Sequence, residues 1–117
     1  MHSCRAVGPN VLSHADFLRN VYRTKSEKRR SRMLHDATAE QLLAIVEIAL
    51  NIIKNRFPLS NHQRERLMPY AAFVRKLARA RRERSARKIV QSGGGAMLAS
   101  LLAPVILEIG RSLINVS

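Results

Sequence analysis

The sequence predicts an all-α protein: a small helical hairpin or three-helix unit with a flexible basic N-terminal arm and a glycine hinge before an apolar C-terminal helix. Three observations carry this prediction. Apolar residues recur at helical spacing around 42–53, 67–77 and 97–113. Thr38 with Gln41, and Ser60 with Gln63, show capping-box spacing, in which the hydroxyl takes an orphan N–H and the glutamine reaches back. Gly93-Gly94-Gly95 then divides a cationic segment from an apolar one. Positions 75–88 hold eight Lys/Arg against the single acid Glu83, whereas positions 96–107 hold no charge.

The totals bound the function. At 117 residues the chain suffices for one small domain, with a net charge of +13 and a pI near 11.6. Such self-repulsion calls for a polyanionic partner, either nucleic acid or an anionic membrane surface. Cys4 is the only cysteine, which excludes an internal disulfide or a thiolate metal site. With no tryptophan and few aromatics, the chain does not resemble a base-stacking reader of single strands. His2, His14, His35 and His62 lack ligand spacing, and nothing places a nucleophile on a sharp turn. The expectation is a non-enzyme with no cofactor and no metal.

Residues 1–36 read as a flexible basic arm. Gly8, Pro9 and Asn10 break any periodicity, and no run long enough for a signal peptide precedes them. Asp16 to Arg23 fits a short helix with Phe17, Leu18 and Val21 on one side. Lys25 to Arg32 fits a nuclear localisation signal or a phosphate-binding stretch, carried by Lys28, Arg29, Arg30 and Arg32.

Residues 37–91 read as a helical hairpin with a basic outer face. The first helix runs from Thr38 to near Arg56 and is apolar over most of its circumference, so it must be buried from several sides. Its polar residues Glu40, Glu47, Asn51 and Lys54 form a narrow wet stripe, with Leu43, Val46 and Leu50 buried. Glu47 argues against a membrane span, and the stickiness of this helix suggests a homo-oligomer. Phe57-Pro58 breaks it, and Pro69 kinks or restarts the second helix. Leu67, Tyr70, Val74 and Leu77 mark the packed face, with Arg75, Arg79 and Arg82 opposite. Arg81 would fall back on the apolar face, so packing ends near Ala80. Ser85 is placed to cap one further turn, Ala86 to Val90.

Residues 92–95 form the hinge and 96–117 the apolar C-terminal helix, kinked by Pro104. Twelve uncharged residues are too few to span a bilayer of roughly 30 Å at about 1.5 Å per residue. Two readings stay open. The tail folds back as a third core helix, or Leu98, Leu101, Leu102, Val105, Ile106 and Ile109 meet a membrane or a partner such as a capsid protein. On the second reading the hinge leaves the basic segment and the tail independent.

Pro58-Leu59-Ser60, Gln63, Val74-Arg75-Lys76-Leu77-Ala78, Lys88-Ile89-Val90-Gln91, the glycines and Leu101-Leu102-Ala103-Pro104-Val105-Ile106 with Ile109-Gly110 resemble a family of small basic proteins. Adintoviruses and Polinton (Maverick) elements encode them, and they are similar to the adenovirus core protein X, the mu precursor. The resemblance covers roughly Thr38 to Arg111. It implies a virion core component that binds and condenses double-stranded DNA, located in the virion and in the host nucleus during infection. In the adenovirus protein the cleaved Gly-Gly follows an aliphatic residue two positions before it. Here Gln91-Ser92 precede Gly93-Gly94, a departure from that pattern.

The residues expected on the phosphate backbone are Arg75, Lys76, Arg79, Arg82, Arg84, Arg87 and Lys88, with Lys28, Arg29, Arg30 and Arg32 as a mobile second contact. The competing expectation is a membrane-active protein acting through its tail, with the basic segment on anionic headgroups.

Overall fold

A computed structural model of the chain describes residues 9–56 and 59–116, and the side chains of 9–56 and 59–109. Cys4, His2 and the rest of 1–8, Phe57-Pro58 and the side chains after Ile109 lie outside the described residues. The chain is all-α, with no strand among the described residues. Its elements are α1 (Pro9–Ser13), α2 (Ala15–Arg23), α3 (Glu27–Asp36), α4 (Ala39–Ile53), α5 (Asn61–Leu67), α6 (Ala71–Arg79) and α7 (Glu83–Val116). They fold into one body of 36 × 27 × 27 Å.

Both expected capping boxes form. The Thr38 hydroxyl accepts from the Gln41 N–H at 3.1 Å and the Gln41 side chain from the Thr38 N–H at 2.9 Å. Ser60 and Gln63 do the same at 3.1 and 2.9 Å, starting α5. Reciprocal capping satisfies two donors that no helical carbonyl can reach.

α4 ends earlier than expected, and for a different reason. Asn55 adopts φ 58°, the left-handed conformation that stops helices. The Asn55 N–H then donates to Ile52 O at 3.1 Å and the Arg56 N–H to Asn51 O at 2.8 Å, the two bonds of a Schellman motif. The helix has therefore stopped before Pro58 is reached. The wet stripe is also turned by about one position. Asn51 is buried at 4% exposure and Leu43 is exposed at 38%, so the open strip runs through Glu40, Leu43 and Lys54. Val46 is buried as expected, and Leu50 is only half-buried. Near the middle of the strip α1 leans across, and the Asn10 amide donates to the Glu47 carboxylate at 3.2 Å.

α4 packs most extensively on α6, which Val74 and Leu77 face, and next on α7. Pro69 sits in a 3-10 turn at Met68–Tyr70, and α6 restarts after it. α6 stops at Arg79, with Ala80 extended, where the sequence placed the end of packing. Arg81 is consequently in a linker and exposed. Ser85 does not cap a separate turn, because α7 has already begun at Glu83.

Two expectations need correction. The arm is not flexible over residues 9–36. It forms three helices, and Val11, Leu18, Val21 and Leu34 enter the common core with Leu42, Ile45, Ile48 and Leu77. Amphipathic spacing in α2 was legible, but the surface that receives it belongs to α7, distant in sequence. The tail is not independent of the basic segment either. Leu98, Leu101, Leu102, Val105 and Ile109 are essentially inaccessible and Ile106 is half-buried against them, so of the two readings the tail follows the core helix. A buried apolar side chain of this size contributes about 1.5–3 kcal/mol, which a helix held out in water would forgo.

The glycines form a corner rather than a free joint. Gly94 has φ 78° and ψ 178°, a conformation essentially restricted to glycine, and it breaks α7 into segments 83–93 and 95–116. Helical hydrogen bonding resumes on both sides. By length and composition alone α7 could cross a membrane, because the helix continues past the uncharged twelve residues in both directions. Its inward side chains are nonetheless those of the core.

Candidate nucleic-acid interface

Eleven cations were expected to meet phosphate, and the structure divides them. Lys28, Arg29, Arg32, Arg75, Lys76, Arg79, Arg82, Arg84 and Lys88 are exposed. Arg30 and Arg87 turn inward.

Arg75, Lys76 and Arg79 share the open strip of α6, opposite buried Val74 and Leu77. A helix whose inner face is apolar leaves these three with nowhere else to go. Arg81 and Arg82 follow in the linker, and Arg82, Glu83, Arg84, Ser85 and Arg87 enclose a shallow depression at the start of α7. Further along, Arg84, Lys88 and Gln91 recur at one-turn spacing on the outer strip of α7. Gln91 meets Lys28, Ser31, Arg32 and His35 of α3 across an open groove of about 400 Å³. The outer faces of α3 and of the first half of α7 thus adjoin, joining two basic blocks that are far apart in sequence.

Arg87 supports this junction from within. Its Nη1 donates to Leu34 O at 2.8 Å and to His35 O at 2.7 Å, closing the last turn of α3. The final carbonyls of a helix have no internal partner and carry its negative pole, so a guanidinium there satisfies both needs. Nη2 binds the Glu83 carboxylate at 2.6 Å one turn back on α7.

Arg30, 9% exposed, reaches under the glycine corner. Its Nη2 donates to Thr24 O at 2.5 Å, and Nη1 lies 3.1 Å from the Glu27 carboxylate as an ion pair without hydrogen-bond geometry. A Cβ on Gly95 would overlap the guanidinium, so the bare glycine face is what admits it. Arg30 and Arg87, expected on the phosphate backbone, are instead engaged by the fold itself.

The acids sharpen the same division. Glu27 is held by Arg30, Glu83 by Arg87 and Asp16 by Arg19, while Asp36 pairs with His35. Among the described residues, none of the nine exposed cations takes part in an ion pair. Sequence reading missed Arg81, exposed because α6 ends first, and also Arg64 of α5, which stands near Arg75 on the rim of a second groove. Arg64-Glu65-Arg66 is a mixed-charge stretch that carries no such signal in sequence. Among the described residues, no group of three or more His, Cys, Asp or Glu side chains is placed to hold a metal.

Comparison with protein-family models, with curated proteins and with solved structures finds no match.

Proposed function

We propose that the protein binds double-stranded DNA without regard to sequence and condenses it, as a virion core component of a DNA virus or virus-like element. The observation that carries the binding half is the set of nine exposed Lys and Arg without ion pairs, eight on helices held by a common core and Arg82 in the linker before α7. The virion setting, including a nuclear stage, rests on the resemblance of the segment from Thr38 to Arg111.

The mechanism is phosphate neutralisation. Guanidinium groups can hold two phosphate oxygens at once, and each neutralised phosphate releases condensed counterions. Duplex DNA carries one charge per roughly 1.7 Å of axis, so a net +13 balances about 22 Å of duplex. The molecule is 27 Å across in its shorter dimensions. Side-by-side molecules along a duplex would therefore cancel most of its charge, which is the condition for compaction. Contacts to phosphate carry no base information, so sequence independence follows from the mechanism itself.

The membrane reading requires Leu98, Leu101, Leu102, Val105 and Ile109 to leave the core, and their burial argues against it. The deciding experiment is a salt titration of affinity for a duplex and for its scrambled counterpart. With five to seven phosphates neutralised, log K should fall against log salt with a slope of about −4.5 to −6, equal for both duplexes. A slope shallower than about −2, or a clear sequence preference, refutes the mechanism.

A further inference from the structure

The α4–α6 side of the molecule carries a groove unlike the rest of its surface. Ile52 and Ile53 from the end of α4, Leu67 and Met68 from the α5 turn, and Val74 from α6 form an apolar floor around about 310 Å³ of open space. That volume lies at the small end of the range for ligand sites. Met68 of the 3-10 turn is 65% exposed and Ile53 of α4 43%, so both present apolar surface to water. The rim is cationic: Arg64 and Arg75 line the groove, and no carboxylate does. Neither arginine takes part in an ion pair among the described residues.

We infer that this groove docks an acidic amphipathic segment of a partner protein, with one or two apolar anchors on the floor and flanking carboxylates on Arg64 and Arg75. Both features are needed. Charge alone would draw an acidic chain equally to any of the exposed cations, and an apolar floor alone would name no partner. Together they match an apolar anchor bordered by acids, the pattern by which amphipathic helices enter grooves. A second copy fits poorly, because two chains of +13 would meet across a rim that adds two cations from each. Arg75 belongs to this rim and to the phosphate-binding strip alike, and it is the apolar floor that sets the groove apart, since the phosphate backbone of a duplex offers nothing to fill it.

The test uses the full chain and a labelled synthetic helical peptide, with Leu at one-turn spacing and Glu on both flanks, followed by anisotropy at 0.15 M salt. A peptide of identical composition with the leucines dispersed controls for charge. The amphipathic peptide should bind at least tenfold more tightly than the dispersed one. Met68→Glu, at an exposed position, should weaken it at least tenfold with the melting temperature unchanged, and Arg64→Glu at least threefold. Equal binding of the two peptides, or indifference to Met68→Glu, overturns the inference. So do three other results: Met68-dependent binding to phosphatidylglycerol vesicles without peptide binding, a dimer that Met68→Glu dissolves, or peptide binding seen only after Phe57→Ala. These would assign the groove to lipid, to a second copy or to the chain's own loop. None of the outcomes bears on the salt slope for DNA, so the two proposals fail separately.

Discussion

Arg79 and Arg87 belong to one basic stretch of sequence, and by local composition they are alike. Arg79 ends α6 on its open strip, without an ion pair. Arg87, one short linker later, binds two carbonyls at the end of α3 and the Glu83 carboxylate. The same contrast separates Arg29 from Arg30 within α3, where a single step along the helix turns a side chain from water to the glycine corner. A charge run thus states how much charge a protein carries, and the neighbouring helices decide which charges are free to meet a ligand. Part of this protein's basic character belongs to its architecture.

The most severe way to break the comparison is to remove residues 96–117. The deletion takes away six deeply buried apolar side chains, Met97, Leu98, Leu101, Leu102, Val105 and Ile109, each contributing about 1.5–3 kcal/mol, a total comparable to the whole stability of a small domain. The variant should lose its cooperative thermal transition by circular dichroism and more than tenfold in duplex affinity. Cooperative melting with affinity within threefold would restore an independent tail and separate the two halves of α7 after all.

Arg87→Ala should come next. Losing charged hydrogen bonds to the α3 terminus is expected to cost about 1.5–3 kcal/mol in denaturant unfolding. The slope of log K against log salt should change by less than the ~0.9 that one phosphate contact contributes. A slope shallower by the full ~0.9 with unchanged stability would move Arg87 to the DNA face.

Gly94→Ala isolates the corner between the halves. Nothing lies within 4 Å of a Cβ built there, so the effect is backbone strain alone, about 1–3 kcal/mol for a side chain at φ 78°. Unaltered stability would mean that the corner yields easily and is not part of the packed architecture.

Arg79→Ala should give the smallest change in stability, within about 0.5 kcal/mol as for surface positions in general. Its signature is the reverse of that of Arg87: a salt slope shallower by about 0.9. Together the two substitutions form a crossed pair, and any result in which both act alike removes the distinction.

Helix-period spacing, the two capping boxes and the end of α6 were legible because each depends on residues within a few positions of one another. So was the abundance of cation over acid, which is a count. The failures share one cause. Whether α2 stays on the surface, whether Leu98 to Ile109 find water, and whether Arg30 or Lys28 faces outward are settled by a contact surface remote in sequence. Even the stop of α4 belongs here in part: Asn55 can adopt the left-handed conformation, but no local signal ranks it ahead of Pro58.

By itself the sequence determined that this chain is helical, where several of its helices begin, and that it carries a large surplus of positive charge. Tertiary structure alone decided that nine of the eleven expected cations stay exposed, because α3 laid against α7 draws Arg30 and Arg87 inward. It likewise turned the glycine triplet from a joint into a corner. Burying the apolar face of the tail in the common core is more favourable than leaving it in water, and the chain that does so turns at Gly94, where only glycine takes the required angles without strain.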